Sequence, residues 1–166
     1  MIRSIEDFIA AWGYEHEATL KVFRAMTDAS LAQRVTSEGR SLGELAWHIV
    51  QTLGEMPKHA GVPVKAPAED EAVPASAGRI AEDFHKAAKS VAAAVAVTWS
   101  DADLDEDVAM YGQTWKKRDV LSALILHQAH HRGQMTVLMR QAGLAVPGVY
   151  GPAKEEWAAM GMPAPK

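Results

Sequence analysis

Four long stretches of the chain carry apolar residues at the spacing of an amphipathic helix, and this pattern leaves few folds open. The first covers residues 2 to about 29, where apolar side chains recur every three or four positions. The second begins at the capping box Ser41-Leu-Gly-Glu44, a signal for a helix start. The third runs over about residues 77–99 and the fourth over about 117–142. Helices with one apolar face must pack together, so the pattern predicts an all-α four-helix bundle.

The segments between these helices complete the predicted architecture. Residues 60–77 contain three prolines and form the connection in which we expect one long crossover between non-adjacent helices. Residues 108–115 are typical of two short extended pieces around a turn at Gly112. Gly143 follows the fourth helix in the position that favours glycine. A short fifth helix is predicted near residues 152–160.

Composition narrows the class of protein. A length of 166 residues suits a single domain, residues 1–166. The net charge is −4 and Lys and Arg are not clustered, which argues against nucleic-acid binding as the main task. Cysteine is absent, which excludes disulfides, Cys-ligated zinc and a thiol nucleophile of the chain's own. An acidic N-terminal region and the lack of a long apolar run predict a soluble, cytoplasmic protein without a membrane partner.

Two histidines of the fourth helix form the main candidate site. His127 and His131 are four residues apart, so they lie one above the other on a helix face. Apolar residues continue that spacing on both sides, which predicts that both histidines face the core. His48, beside the apolar stripe of the second helix, could join them across the bundle. Three imidazoles with an open fourth position are typical of a catalytic zinc site, but the spacing alone is equally consistent with satisfied core histidines.

Three motifs in order along the chain resemble a known family. They are Leu45-Ala-Trp-His48, then Gly112-Gln-Thr-Trp115, then His127-Gln-Ala-His-His131-Arg-Gly-Gln134. This order is similar to that of the DinB-like proteins, four-helix bundles described as DNA-damage-inducible and unrelated to the polymerase that shares the name. The similarity extends over roughly residues 1–150, and the HxxxHRGQ element is its most specific part.

The resemblance implies a metal site and a class of reactions. The family's three metal histidines fall on His48, His127 and His131, which implies a divalent metal cofactor, zinc or nickel first. The family is often dimeric, so a homodimer is expected. Its characterised relatives include thiol S-transferases and a maleylpyruvate isomerase that use bacillithiol, mycothiol or glutathione. Many other members have no known reaction.

The residues around the histidines bear on the chemistry. Zinc metalloproteases carry a Glu after the first histidine of HExxH as general base, whereas Gln128 stands here and no carboxylate follows through Gln134. A thiol reaction would take its thiol from a small cofactor, because the chain has no cysteine. Among the possible reactions, the family resemblance favours transfer of a small-molecule thiol to an electrophilic substrate. The alternatives are a hydrolase that uses metal-activated water, or a non-catalytic stress protein that binds metal or ligand.

The four other histidines carry weaker expectations. His130 points away from His131 on the helical wheel, so a surface or interhelix contact is expected rather than ligation. His16 lies on the apolar stripe of the first helix and is expected to be a satisfied core histidine, with a role in the pocket as the alternative. For His59 and His85, the pattern indicates only surface positions.

Five further residues lie near the motifs, and most of them allow two interpretations. Glu44 is expected to close its capping box, and Glu55 could orient His48 or face solvent. Either of these carboxylates could still serve a hydrolase as a base from the second helix. Arg132 could hold an anionic group or a neighbouring helix. Gly133 is expected to permit close helix packing, and Trp115 could line the pocket or simply be buried.

Overall fold

A computed structural model describes residues 2–165 and confirms the four-helix bundle. No helix in this part of the chain is both long and apolar enough to cross a membrane. Three short 3-10 helices accompany the main elements, at Asp28–Ser30, Asp101–Asp105 and Ala158–Met160. The main elements in chain order are α1 (Ile5–Arg24), α2 (Leu42–His59), α3 (Ala77–Thr98), β1 (Asp107–Met110), β2 (Gln113–Lys116) and α4 (Lys117–Gln141).

The helix ends follow the capping signals of the sequence. The Ser41–Glu44 capping box is present: the Glu44 N–H donates to Ser41 Oγ (3.1 Å) and the Ser41 N–H to Glu44 Oε2 (2.6 Å). Gly143 follows α4 with a φ of 76°, a conformation that favours glycine. Helix α1 begins later than predicted because Ser4 caps its first turn, and it ends at Arg24 rather than near residue 29.

The order of the helices around the bundle differs from the expected one. Both α1 and α2 pack against α3 and α4, so α1 and α2 lie on one diagonal and α3 and α4 on the other. The diagonal connections are therefore residues 25–41 and 99–116. The expectation that residues 60–77 make the crossover is wrong, because this segment joins two neighbouring helices. It folds back along α2, where Gln51 Nε2 donates to the carbonyls of Ala68, Glu69 and Glu71.

The extended pieces predicted before α4 form a two-stranded antiparallel hairpin. Met110 pairs with Gln113, which leaves Tyr111 and Gly112 as a two-residue turn. Both have positive φ, 50° and 75°, as a type I′ hairpin turn requires. The hairpin contacts α2 through β1 and α4 through β2. It therefore carries Tyr111 and Trp115 to the groove between these two helices.

The segment after α4 is not a fifth helix, so that prediction is wrong. Only the 3-10 turn Ala158–Met160 forms in it. The segment instead runs back over α1, where Lys21 Nζ donates to the carbonyl of Gly148 (2.9 Å). The Glu156 carboxylate accepts the N–H groups of Gly148 and Ala153, which satisfies the backbone locally without helical hydrogen bonds.

Candidate metal centre

Three histidine side chains converge between α2 and α4. His48 Nε2 lies 3.2 Å from His127 Nε2, and His131 Nε2 lies 3.1 Å from the same atom. One nitrogen of each ring lies within 4.8 Å of both others. The packing of α2 against α4 brings His48 to the pair that the i,i+4 spacing of α4 already places together. The three predicted residues are thus neighbours in the fold.

The geometry of the cluster fits one ion. Nitrogens bound at 2.0–2.1 Å to a tetrahedral ion lie roughly 3.3 Å from one another, close to the two observed separations. Burial lowers the pKa of His48 and of His127 to about 4, and it also lowers the pKa of His131. The rings are therefore neutral at pH 7 and offer lone pairs rather than charge. Such a group could hold a divalent metal ion.

Gln134 orients one of the three rings. His131 Nδ1–H donates to Gln134 Oε1 at 2.8 Å, so His131 Nε2 carries the lone pair that faces the cluster. Gln134 Nε2 in turn donates to His130 Nε2 at 3.2 Å. His130 is exposed and lies outside the cluster. His130 therefore contacts Gln134, the residue that positions His131.

Two cavities adjoin the cluster from different sides. The first, here called the acidic-aromatic cavity, has a volume of about 540 Å³. The second, here called the Arg40 cavity, has a volume of about 430 Å³. The walls of the acidic-aromatic cavity include His48, His127, Glu55, Glu69, Tyr111 and Trp115. Those of the Arg40 cavity include His131, Arg40, Val35, Leu45, Val137 and Leu138. The nitrogen cluster is therefore accessible from both sides to small molecules.

Two carboxylates considered from sequence have different roles in the structure. Glu55 lies in the acidic-aromatic cavity but does not bond to His48. Both of its oxygens accept from Tyr111 Oη, at 3.0 and 2.8 Å, and His59 Nε2 lies 3.1 Å away. Glu44 closes its capping box and pairs with Arg34 at 2.9 Å, so it lies outside the cluster.

Arg132 holds a neighbouring helix. Its guanidinium donates to Glu15 Oε2 at 2.7 Å and to Thr19 Oγ1 at 2.8 Å, both on α1. Tyr150 Oη, from the segment after α4, accepts from Arg132 and lies 2.9 Å from Glu15 Oε1. The side chains of Arg132 and Glu15 are 3% and 8% exposed. The pair is thus a buried structural contact, and no sequence pattern had indicated Glu15 or Tyr150.

The remaining predicted residues fall elsewhere. His16 is buried and its Nε2 lies 2.9 Å from His85 Nδ1, so it is a satisfied core histidine. His85 is half-buried by this contact, and its prediction as a plain surface residue is wrong. Gly133 is exposed, and within residues 2–165 no atom beyond its chain neighbours and the adjoining backbone of its own helix lies within 4 Å of where a Cβ would be. The prediction of close packing at Gly133 is therefore wrong within one chain.

The buried face of α4 is rotated slightly from the predicted one. Gln128 and Arg132 occupy its centre, at 0% and 2% exposure. His131 is buried on the same face, whereas His127 is half-buried at its edge. The expectation that both histidines replace core residues is right only for His131. The pattern missed this rotation because Gln128 and Arg132 are polar and looked like surface positions.

Sequence reasoning assigned no role to three residues that shape the centre. Gln134 lies three positions after His131, a spacing that allows contact on a helix, so the signal was present. Arg40 lies in the loop before α2 and Tyr111 in the turn of the hairpin. No periodic pattern marks residues of this kind, because their positions depend on the packing of the helices they connect.

The chain belongs to the DinB family, whose sequence profile matches residues 1–165. It is 46% identical to the uncharacterized protein YrdA of Bacillus subtilis (strain 168), over 100% of this chain and 99% of that one. A DinB-like protein from Bacillus cereus ATCC 10987 has 41% identity and a TM-score of 0.86, over 90% of this chain and 100% of that chain. The DinB-like protein YjoA of Bacillus subtilis shares the fold, with 14% identity and a TM-score of 0.66 over 86% and 96%.

Proposed function

We propose that the protein is a metal-dependent enzyme that transfers a small-molecule thiol to an electrophile. A divalent ion, zinc or nickel first, is held by His48, His127 and His131. The observation that carries the proposal is the convergence of three neutral imidazoles beside two cavities, with His127 Nε2 at 3.2 Å from His48 Nε2 and 3.1 Å from His131 Nε2. The choice of a thiol over water comes from the DinB family resemblance alone. The thiol belongs to a small cofactor in this proposal, because the chain has no cysteine.

The chain's own residues prepare the site for an anionic ligand. The three imidazoles carry no charge, so an ion held by them keeps its charge of two and lowers the pKa of a coordinated thiol. Gln134 keeps the His131 ring in the orientation that turns Nε2 toward the cluster. Apolar residues line the Arg40 cavity on one side of the cluster. A thiolate beside the cluster is thereby kept reactive at neutral pH.

The proposed reaction forms one bond to sulfur. The thiol proton passes to solvent, and a sulfur lone pair forms the new S–C bond. With a halide substrate, the C–halogen bond breaks and the halide leaves with the bonding electrons. With an epoxide, the C–O bond opens and the oxygen takes a proton from water. Neither reaction needs an oxidant or a reductant.

A metal-dependent hydrolase is the second candidate. Glu55 and Glu69 lie in the cavity that also contains His48 and His127, so a carboxylate base is within the same space. Glu55 is already engaged by Tyr111 and His59, which limits its freedom to accept a proton from water. A non-catalytic metal-binding or ligand-binding stress protein is the third candidate.

Activity measurements with and without thiol distinguish the three candidates. The protein is reconstituted with zinc or nickel and incubated with 1-chloro-2,4-dinitrobenzene or an epoxide, in the presence of glutathione, bacillithiol or mycothiol. Turnover that requires both metal and thiol supports the proposal, and His131→Ala is the inactive control. Metal-dependent turnover that ignores thiol indicates the hydrolase. Metal binding with neither activity indicates the non-catalytic protein.

We also propose that the protein is a homodimer, as the family resemblance implies. An exposed stripe on α4 supports this: Leu126 and Val137 are 68% and 53% exposed, with the uncovered Gly133 between them. A second copy of the chain would bury such a stripe in an interface. Light scattering should give twice the chain mass of 18.0 kDa, and Leu126→Glu should shift it toward the monomer. A monomeric wild-type protein at micromolar concentration would overturn this proposal.

A further inference from the structure

The acidic-aromatic cavity combines negative charge with aromatic surface beside the nitrogen cluster. Glu55 and Glu69 line it together with the rings of Tyr111 and Trp115, whose centroids are 5.9 Å apart at an interplanar angle of 75°. Among residues 2–165, no Lys or Arg forms an ion pair with either carboxylate, and His59 alone pairs with Glu55. The cavity is therefore suited to a ligand that carries positive charge.

The conformation of Tyr111 supports a role for this wall. Its φ of 50° lies in the left-handed region, which disfavours a bulky side chain and favours Gly or Asn in such turns. The phenol nevertheless reaches down to both oxygens of Glu55. Backbone strain at a residue that lines a cavity is typical of functional positions. The hairpin thus holds an aromatic ring over the Glu55 carboxylate at a conformational cost.

The opposite cavity has the opposite character. Arg40 is exposed and lines it with apolar residues of α2 and α4. Among the residues that the structure describes, no carboxylate forms an ion pair with Arg40, in contrast to Arg34 in the same loop, which pairs with Glu44. The nitrogen cluster therefore lies between an acidic-aromatic side and a basic, apolar side. A reaction between two substrates can use one side for each.

We propose that the acidic-aromatic cavity binds the ammonium group of an aminothiol, and that the electrophile enters through the Arg40 cavity. This inference rests on the proposed thiol transfer. Carboxylates and ring faces both attract an ammonium group, while the sulfur lies at the nitrogen cluster. His48 and Glu55 are seven residues apart on α2, a rise of roughly 10 Å. Allowing for contact at both ends, the sulfur and nitrogen of the thiol are separated by roughly 5–8 Å.

A set of three thiols of equal length tests this assignment. The protein is loaded with Co²⁺, and thiolate binding is followed by the sulfur-to-cobalt charge-transfer absorption in the near ultraviolet. The probes are 4-aminobutane-1-thiol, 4-mercaptobutan-1-ol and 4-mercaptobutyrate, which differ only in the charge of the far end. The aminothiol should bind about five- to tenfold more tightly than the alcohol. The acid should bind more weakly than the alcohol.

Variants of the cavity residues test which side of the nitrogen cluster causes the preference for the aminothiol. The double variant Glu55→Gln, Glu69→Gln should lose the preference for the aminothiol while its affinity for the alcohol is unchanged. Glu71→Gln removes a carboxylate from the same connection without altering the cavity, and it should keep the preference. Arg40→Gln should keep it as well. The ratio of the aminothiol and alcohol affinities is compared between variants, which cancels the difference in acidity of the two thiols.

Three outcomes would contradict the inference in distinguishable ways. Preference for the acid that disappears in Arg40→Gln would place the thiol in the Arg40 cavity. Equal affinity for all three thiols, with the absorption band present, would overturn the ammonium assignment but leave the thiol transfer proposal standing. Absence of the band with every thiol, in protein that retains bound cobalt, would overturn the proposed thiol chemistry as well.

Discussion

Two adjacent pairs of residues on α4 face different surroundings. One pair lies at the candidate metal centre, here called the functional side, and the other lies in a buried structural contact, here called the structural side. His127 and His131 point toward α2, where their Nε2 atoms meet that of His48. Gln128 and Arg132, one position further along, point toward α1. There Arg132 meets Glu15 and Thr19, and Gln128 Oε1 accepts from Thr19 Oγ1 at 3.1 Å.

The difference lies in how the polar groups are satisfied. A buried charge is stable only with a partner of opposite charge and further hydrogen bonds, and Arg132 has both. The three imidazoles avoid charge instead, because burial keeps them neutral. Their lone pairs remain available to a ligand from outside the chain. A rotation of about 100° per residue on a helix separates these two environments.

Replacing a histidine of the functional side should have the largest effect, which is the loss of bound metal. His131→Ala should abolish stoichiometric binding of zinc or nickel, a loss greater than the roughly 100-fold expected for an outer partner. The metal content of reconstituted and dialysed protein measures this. His130→Ala is the matched control and should bind nearly one ion per site. The reverse result would mean that His130 rather than His131 faces α2.

Breaking the structural side should lower stability and leave the metal site intact. Arg132→Met leaves the Glu15 carboxylate buried without its partner, which should reduce the free energy of unfolding by about 3–5 kcal/mol. Urea denaturation measures the change. The double variant Glu15→Leu, Arg132→Met should recover most of it, because two apolar residues replace the pair. A loss below about 1 kcal/mol in the single variant, or a metal affinity that falls with it, would contradict the division into two sides.

Replacing Gln134 on the functional side should have a smaller effect on metal binding than replacing a histidine. Its carbonyl oxygen accepts from His131 Nδ1, so Gln134→Ala removes the group that orients the ring. The metal affinity should fall about 10- to 100-fold, as measured by competition with a chromogenic chelator. Gln141→Ala, an exposed glutamine near the end of the same helix, should leave the affinity unchanged. Equal affinities in the two variants would show that packing alone orients His131.

Acid should lower the free energy of unfolding of the metal-free protein, because the histidines of the functional side are kept neutral in the fold. The pKa of His48 and that of His127 are lowered from 6.5 to about 4 by burial. The unfolded chain therefore binds protons first, and the free energy of unfolding falls as the pH drops from about 6.5 to about 4. Above pH 6.5 these two groups do not make the free energy of unfolding depend on pH. We expect a loss of about 2 kcal/mol in total, less than the full shifts imply because both rings are partly exposed.

Urea denaturation of the metal-free protein between pH 7 and pH 4 measures this slope. The double variant His48→Gln, His127→Gln should show a smaller dependence on pH over the same range. His59→Gln, at an exposed position on α2, should behave like the wild type. An unchanged slope in the double variant would assign the acid sensitivity to other groups.

Local patterns were enough to predict the four long helices and the hairpin, and they marked His48, His127 and His131 as candidates. The capping box at Ser41 and Glu44 and the positive φ of Gly143 depend only on nearby residues. The i,i+4 spacing of His127 and His131 is a property of any helix. The same reasoning failed for residues 152–160, because a periodic pattern does not reveal that Lys21 of α1 and Arg140 of α4 contact this segment in another conformation.

The sequence by itself determined that the chain forms four amphipathic helices and that His48, His127 and His131 are the candidate ligands. The tertiary structure decided which helices are neighbours, and with that which residues meet. His48 and His127 are 79 positions apart, and Glu15 and Arg132 are 117 apart. Periodicity shows which face of a helix is buried, but not what covers it. That depends on how all four apolar faces fill one core, and only the folded bundle satisfies every face at once.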